Sequence, residues 1–164
     1  MTFDTEVSNV AGLFVFEGPD GVGKTTIIKE VEKRLHIAAR TCVCLSFPGK
    51  ENGTIGAHIY KLHHGLAHYG VSQLSPLSLQ LLHVAAHVDT IDQRILPMIR
   101  KGTTVLLDRY WWSTWAYGFA AGIPAPQLEA IISLERLVWC GVVPASLFML
   151  SRQQSSADIT LVDA

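Results

Sequence analysis

The chain has 164 residues, 49% of them apolar and 16% charged, with a net charge of −1. That is enough chain for one domain with a sizeable core, and too apolar for disorder. A near-neutral balance with no basic block longer than Arg100-Lys101 argues against a nucleic-acid groove, no apolar run reaches membrane-spanning length, and three cysteines do not make a secreted disulfide framework.

Residues 1–9 are polar and acidic and lack signal-peptide features, so the cytoplasm is the default location. Leu13, Phe14, Val15 and Phe16 then read as a buried strand. Behind them, Gly18-Pro19-Asp20-Gly21-Val22-Gly23-Lys24-Thr25 fits G-x-x-x-x-G-K-[ST], a phosphate-binding loop. Ile27, Ile28, Val31 and Leu35 follow at helical spacing, to about residue 39. Strand, loop and helix in that order are what the chemistry needs. Glycines let N–H groups turn inward around phosphate oxygens, and the helix aims its positive end at them. Lys24 would reach the β- and γ-phosphates, and the Thr25 hydroxyl would reach Mg²⁺.

Residues 41–47 predict a second strand, stopped by Pro48-Gly49, and the strand pair predicts a right-handed parallel βαβ unit. Cys42 and Cys44 share a face of that strand, as buried thiols. A short helix starts near Thr54, with Ile55, Ile59, Leu62 and Leu66 on one side and breaks at Gly65 and Gly70. A long helix follows, with Ser75 as N-cap and Pro76 at its first position. Leu77, Leu81, Val84, Val88, Ile91, Ile95 and Met98 form an apolar stripe, fit for a core or a dimer. Gln80, His83, His87, Thr90 and Arg94 form a polar row beside it. Pro97 should bend or end the helix.

Residues 103–107 predict a third strand ending on Asp108. The next stretch holds five aromatics: Tyr110, Trp111, Trp112, Trp115 and Tyr117. Another helix, after Pro124 and Pro126, carries Leu128, Ile131, Ile132 and Leu137 and ends near Gly141. Residues 146–150 predict a fourth strand, and Ile159 to Val162 a fifth. Alternating strands and helices mean an α/β fold, an open parallel sheet of about five strands with helices on both faces.

Ligands of such sheets bind beyond the carboxyl ends of the strands. Glu17 and Asp20 at the phosphate loop, Phe47-Pro48-Gly49-Lys50 after the second strand and Asp108-Arg109 after the third all fall there. Asp108 has the placing of a Mg²⁺ carboxylate, with a helix N-cap as its alternative; Glu17 is a further candidate ligand. Arg109 would fork onto a phosphate, or pair with a helix carboxylate.

At this point the residues resemble the thymidylate kinase family. The string from Phe16 to Thr26 is similar to the family's F-E-G-x-D-G-x-G-K-T-T opening. Phe47-Pro48 resembles the segment after its second strand, with Lys50 where a substrate-binding arginine is common. Asp108-Arg109-Tyr110-x-x-Ser113-x-x-Ala116-Tyr117 matches its D-R-Y-x-x-S-x-x-A-Y signature. The resemblance covers about residues 14–150. It implies one P-loop domain, a three-layer sandwich, across residues 1–164, and transfer of the γ-phosphoryl of ATP, with Mg²⁺, to a deoxynucleoside 5′-monophosphate, dTMP to dTDP. The phosphates would rest on Gly18, Gly21, Val22, Gly23, Lys24, Thr25 and Thr26. Asp20 and Arg109 would position the acceptor phosphate region, Phe47 would contact the nucleoside, and Tyr117 would exclude a 2′-hydroxyl. A homodimer through the long helix is also implied.

Two features depart from the family. His83 and His87 stand where it often has a thymine-stacking Phe and an Arg. They are substrate contacts, solvated or core histidines, or, as an i, i+4 pair near His58, His63, His64 and His68, metal ligands; Val84 after His83 breaks H-E-x-x-H. A His87 contact that needs its proton would weaken above the ordinary imidazole pKa of ~6.5. The second departure follows the fourth strand, where the family has an arginine-rich lid. Residues 151–164 read as a shortened or incomplete lid region, with Arg152 as its basic residue and a catalytic candidate beside Lys24, Arg109 and Asp20. The alternatives to a working kinase are a degenerate relative that binds nucleotide with little turnover, and a deoxynucleoside kinase using Glu17 as base.

Overall fold

The computed structural model describes residues 12–49 and 51–152. Four strands, β1 (Leu13–Glu17), β2 (Cys42–Ser46), β3 (Thr104–Asp108) and β4 (Ser146–Met149), form one parallel sheet in the order β2-β3-β1-β4. The expected fifth strand lies outside the described residues, as do Lys50 and residues 1–9. The crossover from β1 through α1 (Lys24–Ile37) to β2 passes over a position that β3 fills, so β1 and β2 are not neighbours.

Side chains alternate across each strand, and register partners in a parallel sheet point the same way. Leu13 and Val15 therefore join Leu45, Val105 and Leu107 on one face, while Phe16, Cys42 and Leu106 take the other. The second face is covered by α1 through Ile28, Val31 and Leu35. The first is covered by Ile91, Ile95 and Leu96 of the long helical region and by Trp139. The result is the expected three layers. Ile91 and Ile95 are fully buried, each contributing about 1.5–3 kcal/mol by removal from water.

The remaining helices are α2 (Ile55–His64), α3 (Pro76–Thr90), α4 (Leu96–Arg100), α5 (Trp111–Ala120) and α6 (Ala125–Val138), with a 3₁₀ turn over Leu66–Tyr69. Thr54 and Ser75 cap α2 and α3 by accepting from the N–H groups of Ala57 and Ser78. Gly56 lets α2 approach the strand-end loop, since a Cβ there would stand 1.8 Å from the Pro48 carbonyl oxygen. Leu66 belongs to the 3₁₀ turn rather than to α2. Among the described residues no helix is long and apolar enough to cross a membrane.

The structure sharpens two expectations and corrects two. The long helix runs three residues past Pro97 and ends at Arg100. A π-helical turn, Ile91–Ile95, joins α3 to α4 and widens the helix just where the proline ring would meet the preceding carbonyl. Of the readings open for the polar row, burial favours the core for His87 and Thr90, 4% and 1% exposed, while Leu81 of the apolar stripe is 44% exposed. Leu137 lies outside the α6 core, 76% exposed. Finally, the N-cap ahead of α5 is Tyr110 and not Asp108.

Candidate active site

The phosphate loop runs from the end of β1 into α1. Gly18 has φ 143°, and a Cβ on it would stand 2.4 Å from the Leu150 carbonyl oxygen, so only glycine fits between the loop and the end of β4. Gly23, at φ 101°, is the N-cap of α1; no side chain caps the helix there and its first turn holds no acidic residue. An uncapped helix start offers unpaired N–H groups to an anion. Lys24 is 6% exposed and its Nζ donates to the Gly18 and Pro19 carbonyls, each at 2.8 Å. The loop's own oxygens hold the ammonium at the wall of a cavity.

Asp108 closes β3 between the ends of β1 and β2, in register with Phe16 and Ser46. The Thr25 hydroxyl lies 3.4 Å from its Oδ2. Its Oδ1 is buried and has no hydrogen-bond partner among the described residues. A buried, unpartnered carboxylate oxygen beside a hydroxyl fits a hard divalent cation with oxygen ligands.

Arg109 has φ 77°, unusual for a residue with a side chain. In a continuing strand Asp108 and Arg109 would point to opposite faces. The left-handed turn breaks the alternation, so both line one cavity, while the Arg109 N–H still donates to the Phe16 carbonyl at 2.9 Å. The guanidinium donates from Nη1 to Ser113 Oγ at 3.0 Å and from Nη2 to Asp20 Oδ1. Tyr117 donates to the other Asp20 oxygen at 2.6 Å and sets its ring under the guanidinium, 5.2 Å from Cζ to centroid. Burial, and then the bond to Asp20, push the Tyr117 phenol up, so it stays a donor. Glu17 turns to the start of α5: Oε1 accepts from the N–H groups of Tyr110 (2.7 Å) and Ser113 (3.2 Å), and Oε2 from Ser113 Oγ (2.9 Å). It is 3% exposed and caps α5 from the end of β1.

A second cavity, about 540 Å³, opens beside the first, which measures about 340 Å³. The smaller is lined by Gly21, Gly23, Lys24, Thr25, Thr26, Ser46 and Asp108; the larger by histidines of α2 and α3 with Tyr60, Gln80 and Tyr117. Asp20, Phe47 and Arg109 line both, so the two spaces meet at these three residues.

Phe47 and His87 stack at 4.1 Å and 10°, and both are nearly buried. His87 Nδ1 donates to Glu135 Oε2 on α6 at 2.9 Å, and Glu135 is fully buried. His83 Nε2 lies 3.3 Å from His63 Nδ1 of α2. Among the described residues no group of three His, Cys, Asp or Glu is placed to hold a metal ion, which leaves the paired-histidine metal reading without a third ligand.

Burial, and then His87, His63 and His64, push the His83 pKa down to about 4. The unfolded chain takes up this proton near ~6.5, the folded chain only near 4. Between those values the unfolded state binds more protons, so stability falls as pH drops through that window. His63 is lowered in the same direction. The urea midpoint is expected to fall on acidification from about pH 7 to about pH 5, and to fall less in His83→Gln. Parallel profiles would remove His83 as the cause.

Of the residues named from sequence, the phosphate-loop set, Asp20, Phe47, Asp108, Arg109, His83, His87 and Tyr117 surround the joined cavities, apart from Gly18 and Val22 within the loop itself. Arg152 is exposed beyond β4 and lines neither cavity. Sequence reasoning missed Ser46, Tyr60 and Glu135, and the bonds of Ser113; it named His63 only as a neighbour of a possible metal pair. Glu135 did leave a signal: it continues the buried spacing of Leu128, Ile131 and Ile132 along α6.

The family model for thymidylate kinase matches residues 16–156. The chain is 32% identical over 146 residues to the thymidylate kinase of Pelodictyon phaeoclathratiforme, an alignment covering 88% of this chain and 63% of that protein. It is 36% identical over 124 residues to that of Chlorobium limicola, covering 75% and 54%, and 36% identical over 137 residues to that of Neorickettsia sennetsu, covering 83% and 63%. The chain thus spans less than two thirds of the length of these curated relatives.

Proposed function

The chain belongs to the thymidylate kinase family, and from that premise we propose that it transfers the γ-phosphoryl of ATP to the 5′-phosphate of a deoxynucleoside monophosphate, converting dTMP to dTDP. The observation that carries this reading is the meeting of the phosphate-loop cavity and the histidine-walled cavity at Asp20, Phe47 and Arg109. A donor phosphate in the first and an acceptor nucleotide in the second would approach each other there.

In this reading the loop from Gly18 to Thr26 cradles the ATP phosphates. Lys24 exchanges the two loop carbonyls for phosphate oxygens. Arg109, already oriented by Asp20 and Ser113, turns its remaining N–H groups to the acceptor phosphate. Tyr117, tied to Asp20, closes the space beside the sugar, and Phe47 with His83 and His87 forms the wall toward the base. Lys50 would add a cation after β2. Thr25 and Asp108 would hold Mg²⁺, which when bound neutralises charge on the phosphates. Little covalent chemistry is asked of the side chains; they position reactants and stabilise charge. Glu17 is taken up by α5, which leaves the deoxynucleoside-kinase alternative without its base. The same reading takes the protein as one domain, cytoplasmic, and a homodimer through the exposed side of α3.

Nucleotide binding with slow transfer is the second reading. Lys24 and Arg109 are the only cationic side chains lining the phosphate cavity among the described residues. A coupled assay of ADP release, with ATP-Mg²⁺ against nucleosides and their monophosphates, separates the readings. Release with dTMP above all others is expected. Release with nucleosides alone overturns the proposal, and tight binding without release establishes the second reading. If Arg152 closes over the transferred phosphoryl, Arg152→Ala lowers turnover by orders of magnitude at unchanged ATP affinity.

A further inference from the structure

We infer that Glu17, acting through Ser113, is the positioning residue that sets Arg109 for the acceptor phosphate. The inference rests on the kinase reading above and gives Glu17 a task other than metal binding.

A hydroxyl has one proton and two lone pairs. Ser113 Oγ lies 2.9 Å from Glu17 Oε2, which can only accept, and 3.0 Å from Arg109 Nη1, which can only donate. The Ser113 proton therefore goes to Glu17, and a Ser113 lone pair faces Arg109. The hydroxyl cannot reverse while Glu17 is a carboxylate. Glu17 is itself held still, because its other oxygen accepts from the N–H groups of Tyr110 and Ser113 at the start of α5.

The guanidinium is thus fixed on one branch by Ser113 and on the other by Asp20, with the Tyr117 ring against its face. Asp20 is 78% exposed at its side chain, a soft support by itself. Ser113 and Glu17 are buried and supply the stiff one. The buried carboxylate of Glu17 lies one hydroxyl away from the cation, in surroundings where such a chain strengthens each bond. A fork held at two points presents its remaining N–H groups in one direction, as bidentate phosphate recognition requires.

Ser113→Ala is the decisive variant, because it cuts the link to Arg109 while Glu17 keeps both backbone N–H groups. In the full chain it is expected to raise the KM for the monophosphate by about tenfold, the usual effect of one hydrogen bond to a charged group, with the KM for ATP within about twofold of the parent. A role confined to capping α5 would instead lower the melting temperature and leave the acceptor KM alone. In an Arg109→Ala background the Ser113→Ala change is expected to move the acceptor KM by less than about twofold, because both act on the same contact. Glu17→Gln is expected to reproduce the acceptor defect. A competent parent matched by Ser113→Ala, or an equal effect with and without Arg109, overturns the inference alone. A parent that neither binds nor phosphorylates any monophosphate overturns the kinase reading, and this inference with it.

Discussion

Lys24→Ala is expected to lower ATP-dependent turnover by about 10²–10³-fold or more while the fold stays in place, as loss of a preorganised charge donor does in other active sites. Lys24 is the cation within the phosphate loop itself, buried to 6% exposure, and its ammonium stands where the loop's carbonyls converge. A charge on so buried a side chain is screened less than one on the surface. Alanine leaves the backbone N–H groups and the α1 terminus intact, so residual ATP binding should persist. The fold survives because Gly18 is only half-buried and Pro19 is exposed, so water can replace the ammonium at both carbonyls. Circular dichroism, ATP affinity and turnover measured side by side check this. Unchanged affinity and turnover would remove the phosphate-loop assignment.

The largest loss of stability is expected at His87. Its imidazole is the partner of Glu135 Oε2, and the Glu135 side chain is 0% exposed. The other Glu135 oxygen has no hydrogen-bond partner among the described residues. His87→Leu keeps the bulk against Phe47 but strands a carboxylate in the core, a change expected to cost about 3–5 kcal/mol. Replacing both residues with leucine removes the stranded charge, so the double variant should be more stable than His87→Leu alone. Urea unfolding of the parent, the single and the double variants measures this. A single variant within about 1 kcal/mol of the parent would show that the pair carries no special weight. The stacked Phe47 ties the pair to function, because that ring sits where the two cavities meet.

The contrast between these two residues marks what could be read from the chain alone. Lys24 belongs to a contiguous string whose backbone does most of the work, so spacing specifies its surroundings. The same holds for Asp108-Arg109 at the end of an apolar run, and for the period-two strands and capped helices that build the layers. His87 sits in a row of polar residues on α3, where spacing by itself leaves solvent, substrate and core equally open. Its true partner is 48 residues away on α6, and although Glu135 continues the buried spacing of that helix, no spacing names His87 as its partner until α3 and α6 are packed together.

Glu17 shows the same division within one motif. Its position beside the phosphate loop made it a candidate for metal or base chemistry, yet its oxygens turn to a helix start 96 residues later. The short-range pattern of this sequence determined the phosphate loop, the alternation of strands and helices and the residues at the strand ends, because those depend on neighbours a few residues apart. Only the tertiary structure decided the strand order with β3 between β1 and β2, the inward turn of the α3 histidines, and the partners of Glu17 and Glu135. Those depend on which helix docks where, and a buried charge reveals its partner only once docking has excluded water from both.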